Sequence, residues 1–234
     1  MFRDSLDKQY GSRFEGYVVR IIEVVGLAGV GKSTLTNELI DNYPGSYGRY
    51  RLNKLRYAFT IIMTFIYISP LLIFLLFKKK VRNPLKPLLH FEASINNLEK
   101  IKNSKHGTLI LDQGPIFGFV SMSMYELDYS GFKYIKNRYH NNIKRFGQLL
   151  DGVIYLSAPI DELVVRVDKR DSKHQLKTLE IKDKHRFYER YEARYITLLS
   201  EVKDKYNVPV CTIDSSKHGI NEVKCLSTEF IRSL

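Results

Sequence analysis

The stretch GLAGVGKST at residues 26–34 places the strongest constraint on the fold, because it fits the pattern G-x-x-x-x-G-K-[ST]. YVVRIIEVV precedes it, a nearly continuous β-branched run that is typical of a strand buried on both faces. STLTNELIDNY follows it and predicts a helix. A strand, a glycine-rich turn and a helix in this order are the setting in which such a loop cradles phosphate. The alternative is a glycine-rich turn that binds nothing.

The residue types of this loop explain how it would hold a nucleotide. Glycines let the backbone curl so that successive N–H groups face a phosphate, and the following helix adds its positive end. We expect Lys32 to lie exposed over the loop and to reach the β- and γ-phosphates of ATP, and the Ser33 hydroxyl to ligate Mg²⁺. The predicted nucleotide-binding residues are Gly26, Gly29, Val30, Gly31, Lys32, Ser33 and Thr34.

Strand and helix patterns alternate along the rest of the chain. GTLILDQGP, DGVIYLSAP and VPVCTID read as further buried strands, and a short strand is expected within residues 46–57. Helices are predicted at residues 90–105, 132–150, 161–170, 178–206 and 219–234. This alternation predicts one α/β domain over residues 1–234, a three-layer fold whose mainly parallel sheet is covered by helices on both sides.

Asp112 stands at the carboxyl end of a predicted strand, the edge at which ligands sit in open parallel sheets. A carboxylate there can hold Mg²⁺ together with Ser33, or accept the proton of an attacking hydroxyl. The alternative is that Asp112 caps a turn before Gly114 and Pro115.

Arg166 and Arg170 are four residues apart and therefore share one face of a predicted helix. Converging arginines stabilise the charge on a phosphoryl group during its transfer, so both are candidate catalytic residues beside Lys32 and Asp112. The alternative is a solvated helix face that is paired with Asp168 and Asp171.

The net charge of +12 indicates a polyanionic partner. Between Asp41 and Glu92 the chain has no acidic residue, and it carries Arg49, Arg51, Lys54, Arg56, Lys78, Lys79, Lys80, Arg82 and Lys86. These charges bracket an apolar run instead of an aromatic-rich groove, so no nucleic acid is expected as a partner. Two cysteines and a polar N-terminal stretch without an apolar signal core favour a cytoplasmic protein.

The apolar run at residues 58–77 has no charged residue and matches the length of about 20 residues that a membrane-spanning helix needs. A single crossing would separate the strand that precedes this run from the strand that follows it, with the membrane between them. The predicted sheet excludes this, because both strands belong to it. Ser69 and Pro70 divide the run into two pieces, each too short to cross. We therefore expect an inserted apolar helical hairpin that dips into the cytoplasmic face of an anionic membrane. It could instead pack on the domain or form a homodimer interface.

Together these pieces resemble the thymidylate kinase-like branch of the P-loop kinases over about residues 17–57 and 90–234. The resemblance rests on the loop 26-GLAGVGKST-34, on 108-TLILDQGP-115, on 151-DGVIYLSAPIDELVVRVDKR-170, on 185-HRFYERYEARY-195 and on 208-VPVCTIDSSKHGINEV-223. It implies that Asp112 is the Asp of that family's Asp-Arg pair. It also implies that Arg166 and Arg170 match the arginines of the lid, a segment that closes on the phosphates.

Two positions depart from that family. Ala28 stands where its loop usually carries Asp, and Gln113 stands where Arg follows the strand Asp. In that family the loop Asp serves the acceptor nucleotide, and the inserted run replaces the region that would form the acceptor pocket. The resemblance therefore implies ATP and Mg²⁺ binding and does not identify thymidylate as the acceptor.

Two functional hypotheses follow. The first is an ATP-dependent kinase that acts on a small-molecule or lipid-linked acceptor at the membrane surface. The second is a membrane-associated regulatory or scaffold module that binds nucleotide and hydrolyses it slowly.

Overall fold

The computed structural model describes residues 19–43, 45–48, 62, 85–102, 107–124, 133–169 and 175–234. Its strands are β1 Arg20–Gly26, β2 Ser46–Gly48, β3 Thr108–Asp112, β4 Gly152–Ser157 and β5 Val210–Asp214. Its α-helices are α1 Lys32–Asn42, α2 Leu85–Lys102, α3 Pro115–Ser123, α4 Lys133–Leu149, α5 Ile160–Asp168, α6 Ile181–Tyr206 and α7 Ile220–Ser233. A 3₁₀ helix, Gln175–Thr178, precedes α6.

The strands form one sheet in the order β2-β3-β1-β4-β5, and every neighbouring pair is parallel. The sheet confirms the predicted α/β class, and all four predicted buried strands are present. β1 is buried along almost its whole length, as expected for a central strand covered on both faces. The short strand expected within residues 46–57 is β2 at its beginning.

The helices cover the sheet in two groups. α1 packs against α7, whereas α2, α3, α4, α5 and α6 are connected by contacts with one another. The core between these layers is aliphatic and aromatic, with Tyr188, Tyr195, Phe119 and Phe146 among its largest fully buried side chains. This division gives the three layers that the alternating pattern predicted.

The sequence reasoning did not predict α3, which starts at Pro115, directly after Gly114. Proline occupies the first helical position, where its missing N–H costs no hydrogen bond. The helix is short and apolar, and it buries Ile116, Phe119 and Val120 among other residues. Such a segment shows little amphipathic periodicity, which is the signal that identified the longer helices.

The inserted apolar hairpin predicted at residues 58–77 lies outside the described residues, apart from Ile62, which is helical and exposed. Among the helices that the structure describes, none combines the length and the apolar character needed to cross a membrane.

Candidate active site

The glycine-rich loop at residues 26–31 joins the end of β1 to the start of α1. Gly26, Gly29 and Gly31 have φ angles of 144°, 91° and 101°, a region that other residues rarely adopt. A Cβ atom on Gly26 would lie 2.3 Å from the carbonyl oxygen of Leu156, at the end of β4. One on Gly29 would lie 3.1 Å from the carbonyl oxygen of Leu163 in α5. Gly26 and Gly29 therefore serve both the turn and the close packing of the loop, whereas Gly31 serves only the turn.

Lys32 begins α1, and its ammonium donates a hydrogen bond to the carbonyl oxygen of Leu27 at 2.8 Å. The residue is only 8 % exposed, so our expectation that it lies exposed over the loop was wrong. The side chain folds back along the loop because its ammonium satisfies a loop carbonyl, and its charge therefore remains beside the curled backbone. Its role in binding phosphates stays a prediction.

Ser33 and Asp112 meet although 79 positions separate them in the chain. The Ser33 hydroxyl donates a hydrogen bond to Oδ2 of Asp112 at 2.6 Å. The register of the sheet brings this about, because Asp112 pairs with Val24, two residues before the loop begins. The two side chains predicted to share a metal ion therefore lie in direct contact.

The chemistry of this pair fits Mg²⁺. A hydroxyl and a carboxylate are the hard oxygen ligands that Mg²⁺ prefers, and the ion usually takes its other ligands from water and substrate phosphates. Oδ1 of Asp112 is buried without a hydrogen-bond partner among the described atoms, so one oxygen remains available for such a ligand. No group of three acidic, histidine or cysteine side chains that could hold a metal occurs in the described part of the chain.

Arg166 in α5 is bound to neighbouring protein groups. Its guanidinium contacts Oε2 of Glu162 at 2.9 Å, and it donates to the hydroxyl of Ser215 at 3.3 Å. It thus links α5 to the segment after β5, and the structure does not place it in contact with Asp112 or Ser33. Among the described residues its carboxylate partner is Glu162, whereas Asp168, one of the two acids that the alternative interpretation named, pairs with Lys184. Asp171, the other, lies outside the described residues. Arg170 lies outside the described residues.

Two side chains of α6 contact the glycine-rich loop and the end of α5, and the sequence reasoning did not identify them. The Tyr188 hydroxyl donates to the carbonyl oxygen of Ala28 at 3.1 Å, within the loop itself. The buried ammonium of Lys184 contacts both carboxylate oxygens of Asp168 at 2.8 Å, which ties α6 to the end of α5. The tyrosine-rich sequence of α6 was the available signal, since buried tyrosines usually direct the hydroxyl to a polar partner.

Glu23 was also missed, although it is the one charged residue between Ile21 and Val25. It is 0 % exposed, and its carboxyl oxygens accept hydrogen bonds from the backbone N–H groups of Ile116 at 3.0 Å and Phe117 at 3.1 Å. Burial raises its pKa to about 8, because loss of hydration outweighs the backbone hydrogen bonds that favour the charged form. An acidic residue inside an apolar strand was the signal that could have identified it.

Comparison with known proteins adds information on the fold. No protein-family model and no curated protein matches the sequence. Among solved structures, deoxyadenosine kinase from M. mycoides with the products dCMP and dCDP matches with a TM-score of 0.55 and 16% identity. That match covers 92% of this chain and 100% of the kinase. This chain has a thymidylate kinase-like P-loop kinase fold.

Two further solved structures lead to the same fold. Thymidylate kinase from Candida albicans matches with a TM-score of 0.57 and 17% identity, over 92% of each chain. The M. mycoides deoxyadenosine kinase with bound dATP matches with a TM-score of 0.53 and 17% identity, over 90% of this chain and 98% of the other. The thymidylate kinase-like fold suggested by the sequence motifs is thereby confirmed, over a larger part of the chain than the motifs themselves occupy.

Proposed function

We propose that the protein is an ATP-dependent kinase that transfers the γ-phosphoryl group to a small-molecule or lipid-linked acceptor. The contact between Ser33 and Asp112 carries the proposal, because it joins the phosphate-binding loop to the one carboxylate at the end of the adjacent strand. The structural neighbours are named as nucleoside and nucleotide kinases, which supports the same class of reaction.

In this proposal each residue has a defined task. Backbone N–H groups of residues 29–33 and the Lys32 ammonium bind the donor phosphates, and Thr34 follows them in the first turn of α1. Ser33 and Asp112 would hold Mg²⁺, which neutralises charge on the phosphate oxygens when it is bound. Asp112 either orients that ion or accepts the proton of the acceptor hydroxyl. Arg166 and Arg170 stabilise the charge that develops on the transferred group.

A phosphoryl-transfer screen with labelled ATP tests the proposal on nucleosides, nucleotides, sugars and lipid extracts. Lys32→Ala should abolish ATP binding measured by calorimetry, since it removes the cation of the loop. Lys205→Ala is the matched control, because Lys205 forms an exposed pair with Glu201 on α6. Equal ATP affinity in the wild type and Lys32→Ala would refute the nucleotide site.

Asp112→Asn separates binding from chemistry. We expect it to retain much of its ATP affinity and to lose phosphoryl transfer by about 100-fold or more, because both metal placement and base strength are affected. Asp204→Asn, an exposed change on α6, is the control. ATP binding without transfer to any acceptor would favour the second candidate, a regulatory module with weak NTPase activity, which the departures at Ala28 and Gln113 support.

We also propose peripheral attachment at the cytoplasmic face of a membrane through residues 58–77. The support is in the sequence alone, an uncharged run flanked by basic residues. Replacement of residues 58–77 by a short Gly/Ser linker should release the protein from anionic vesicles while ATP binding survives. If the intact protein never binds vesicles and instead sediments as a dimer, the run is a subunit interface.

A further inference from the structure

Glu23 lies in the middle of β1 but acts on a different element of the fold. Its carboxyl group reaches the first turn of α3, where one oxygen accepts the N–H of Ile116 and the other that of Phe117. The first N–H groups of a helix have no partner within the helix, so they must be satisfied from outside. Here the partner comes from the central strand of the sheet and not from the residue that precedes the helix.

The chain between β3 and α3 is built to admit this carboxyl group. A Cβ atom on Gly114 would lie 2.8 Å from Cδ of Glu23, a distance too short for two carbon atoms. Gln113 has a φ of 60°, a left-handed conformation that is uncommon for any residue other than glycine. Gly114 therefore leaves room for the carboxyl group beside the start of α3, and Gln113 makes the turn between β3 and α3 in a left-handed conformation.

This connection begins at Asp112. β3 fixes the backbone of Asp112 by pairing it with Val24, and Glu23 fixes the start of α3 only two residues beyond the connection. The direction in which the Asp112 side chain leaves the sheet edge depends on both anchors. A shift of α3 would be transmitted through Gln113 and Gly114 to Asp112.

We propose that Glu23 is a positioning residue for phosphoryl transfer, which holds the first turn of α3 and so keeps Asp112 oriented toward Ser33. The proposal rests on the function proposed above. Glu23 itself is not a catalytic residue, because it is fully buried and both of its oxygens are occupied by backbone donors. Its effect on the reaction passes through the turn that contains Gln113.

The test measures two quantities for each variant, kcat and the affinity for ATP, and asks whether kcat falls while the affinity stays the same. Glu23→Leu removes both acceptors at similar size, and Gly114→Ala pushes a methyl group against the carboxyl group. We expect kcat of Mg·ATP turnover to fall about 100-fold in the first and about tenfold in the second, as for small misplacements of reacting groups. ATP affinity measured in EDTA should be unchanged in both, because the glycine-rich loop is untouched.

Two further variants distinguish positioning from general destabilisation. Glu23→Gln keeps one acceptor oxygen and should recover most of kcat. Glu92→Leu is the matched control, since Glu92 is also a buried carboxyl group, 2 % exposed, but contacts Asn142 between α2 and α4. It should lower the unfolding free energy without changing kcat.

The experiment distinguishes a failure of the proposed kinase function from a failure of the proposed role of Glu23. Wild-type protein that shows no Mg²⁺-dependent turnover of ATP, either alone or with any acceptor of the screen, would overturn both proposals. An active wild type whose kcat is unchanged in Glu23→Leu, or in Gly114→Ala if the Leu variant does not fold, would overturn only the role of Glu23. A loss of kcat in Glu92→Leu equal to that in Glu23→Leu would also overturn it, because the effect would then follow from stability alone.

Discussion

Replacing Glu23 by Gln should change how the stability of the protein depends on pH. Burial raises the pKa of Glu23 from 4.5 to about 8, and the negative charge of Asp112 adds to the same effect. Tyr195 of α6 also faces this carboxyl group, whose charge contributes to raising the pKa of the tyrosine. Gln has nearly the same shape but does not titrate, so the substitution removes the proton equilibrium and replaces one acceptor oxygen by an amide NH₂ group that donates.

The sign of the effect follows from which state holds the proton. Between pH 4.5 and about 8 the folded protein keeps the Glu23 proton, whereas the unfolded chain releases it. The unfolding free energy that this group contributes is therefore complete below pH 4.5 and is lost as the pH rises through about 8. At about 1.36 kcal/mol per pKa unit the loss is at most about 5 kcal/mol, and we expect about 2 to 5 kcal/mol.

Urea unfolding at intervals from pH 5 to pH 9, in EDTA, measures this loss directly. The wild type should lose stability relative to Glu23→Gln as the pH rises, and the two proteins should be closest at the acidic end. Glu92→Gln is the control for the loss of a buried carboxyl group elsewhere. Curves for the wild type and Glu23→Gln that stay parallel over the whole range would refute the assignment of the raised pKa to Glu23.

Two further predictions concern the glycine-rich loop. Gly26→Ala should prevent folding or displace the loop, because its methyl group would lie 2.3 Å from the Leu156 carbonyl oxygen, whereas the methyl group of Gly31→Ala meets nothing within 4 Å and should cost only about 1–3 kcal/mol of backbone strain. Thermal melts of both variants compare the two costs, and equal melting temperatures would contradict the packing argument. Tyr188→Phe should lower the unfolding free energy by about 1 kcal/mol and weaken ATP binding, because the Ala28 carbonyl loses its donor. Calorimetry with ATP checks the second effect, and an ATP affinity of the variant equal to that of the wild type would show that the loop keeps its shape without this hydrogen bond.

The sequence was sufficient to predict the sheet because its central strands are apolar runs that end in recognisable residues. β1 ends at the first glycine of the loop and β3 ends at Asp112, so the edge that carries the site could be located without coordinates. Parallel order followed from the helices that separate the strands. The contact of Ser33 with Asp112 is a consequence of that topology and needs no further information.

Other features could not be predicted because they depend on contacts between distant segments. Lys32 turns inward to a carbonyl of its own loop, and a motif does not encode the direction of a side chain. Glu23 is an isolated acidic residue in an apolar strand until its contact with α3 is known, and the short, largely apolar sequence of α3 gave no clear helical periodicity. Because α3 was not predicted, the role of Glu23 as the acceptor for the N–H groups at the start of this helix could not be predicted either.

In the proposed function, the central strand positions the residues of the donor side, and other elements recognise the acceptor. Gly26 ends β1 and begins the glycine-rich loop, and Val24 pairs with Asp112 of β3. Glu23 accepts hydrogen bonds from the first turn of α3. At residue 28, where the family usually carries Asp, Ala28 offers no side-chain donor or acceptor, and its carbonyl is already used by Tyr188. If the protein is the kinase proposed above, its acceptor is therefore recognised by groups outside the loop, and its donor phosphates are bound at the loop that follows β1.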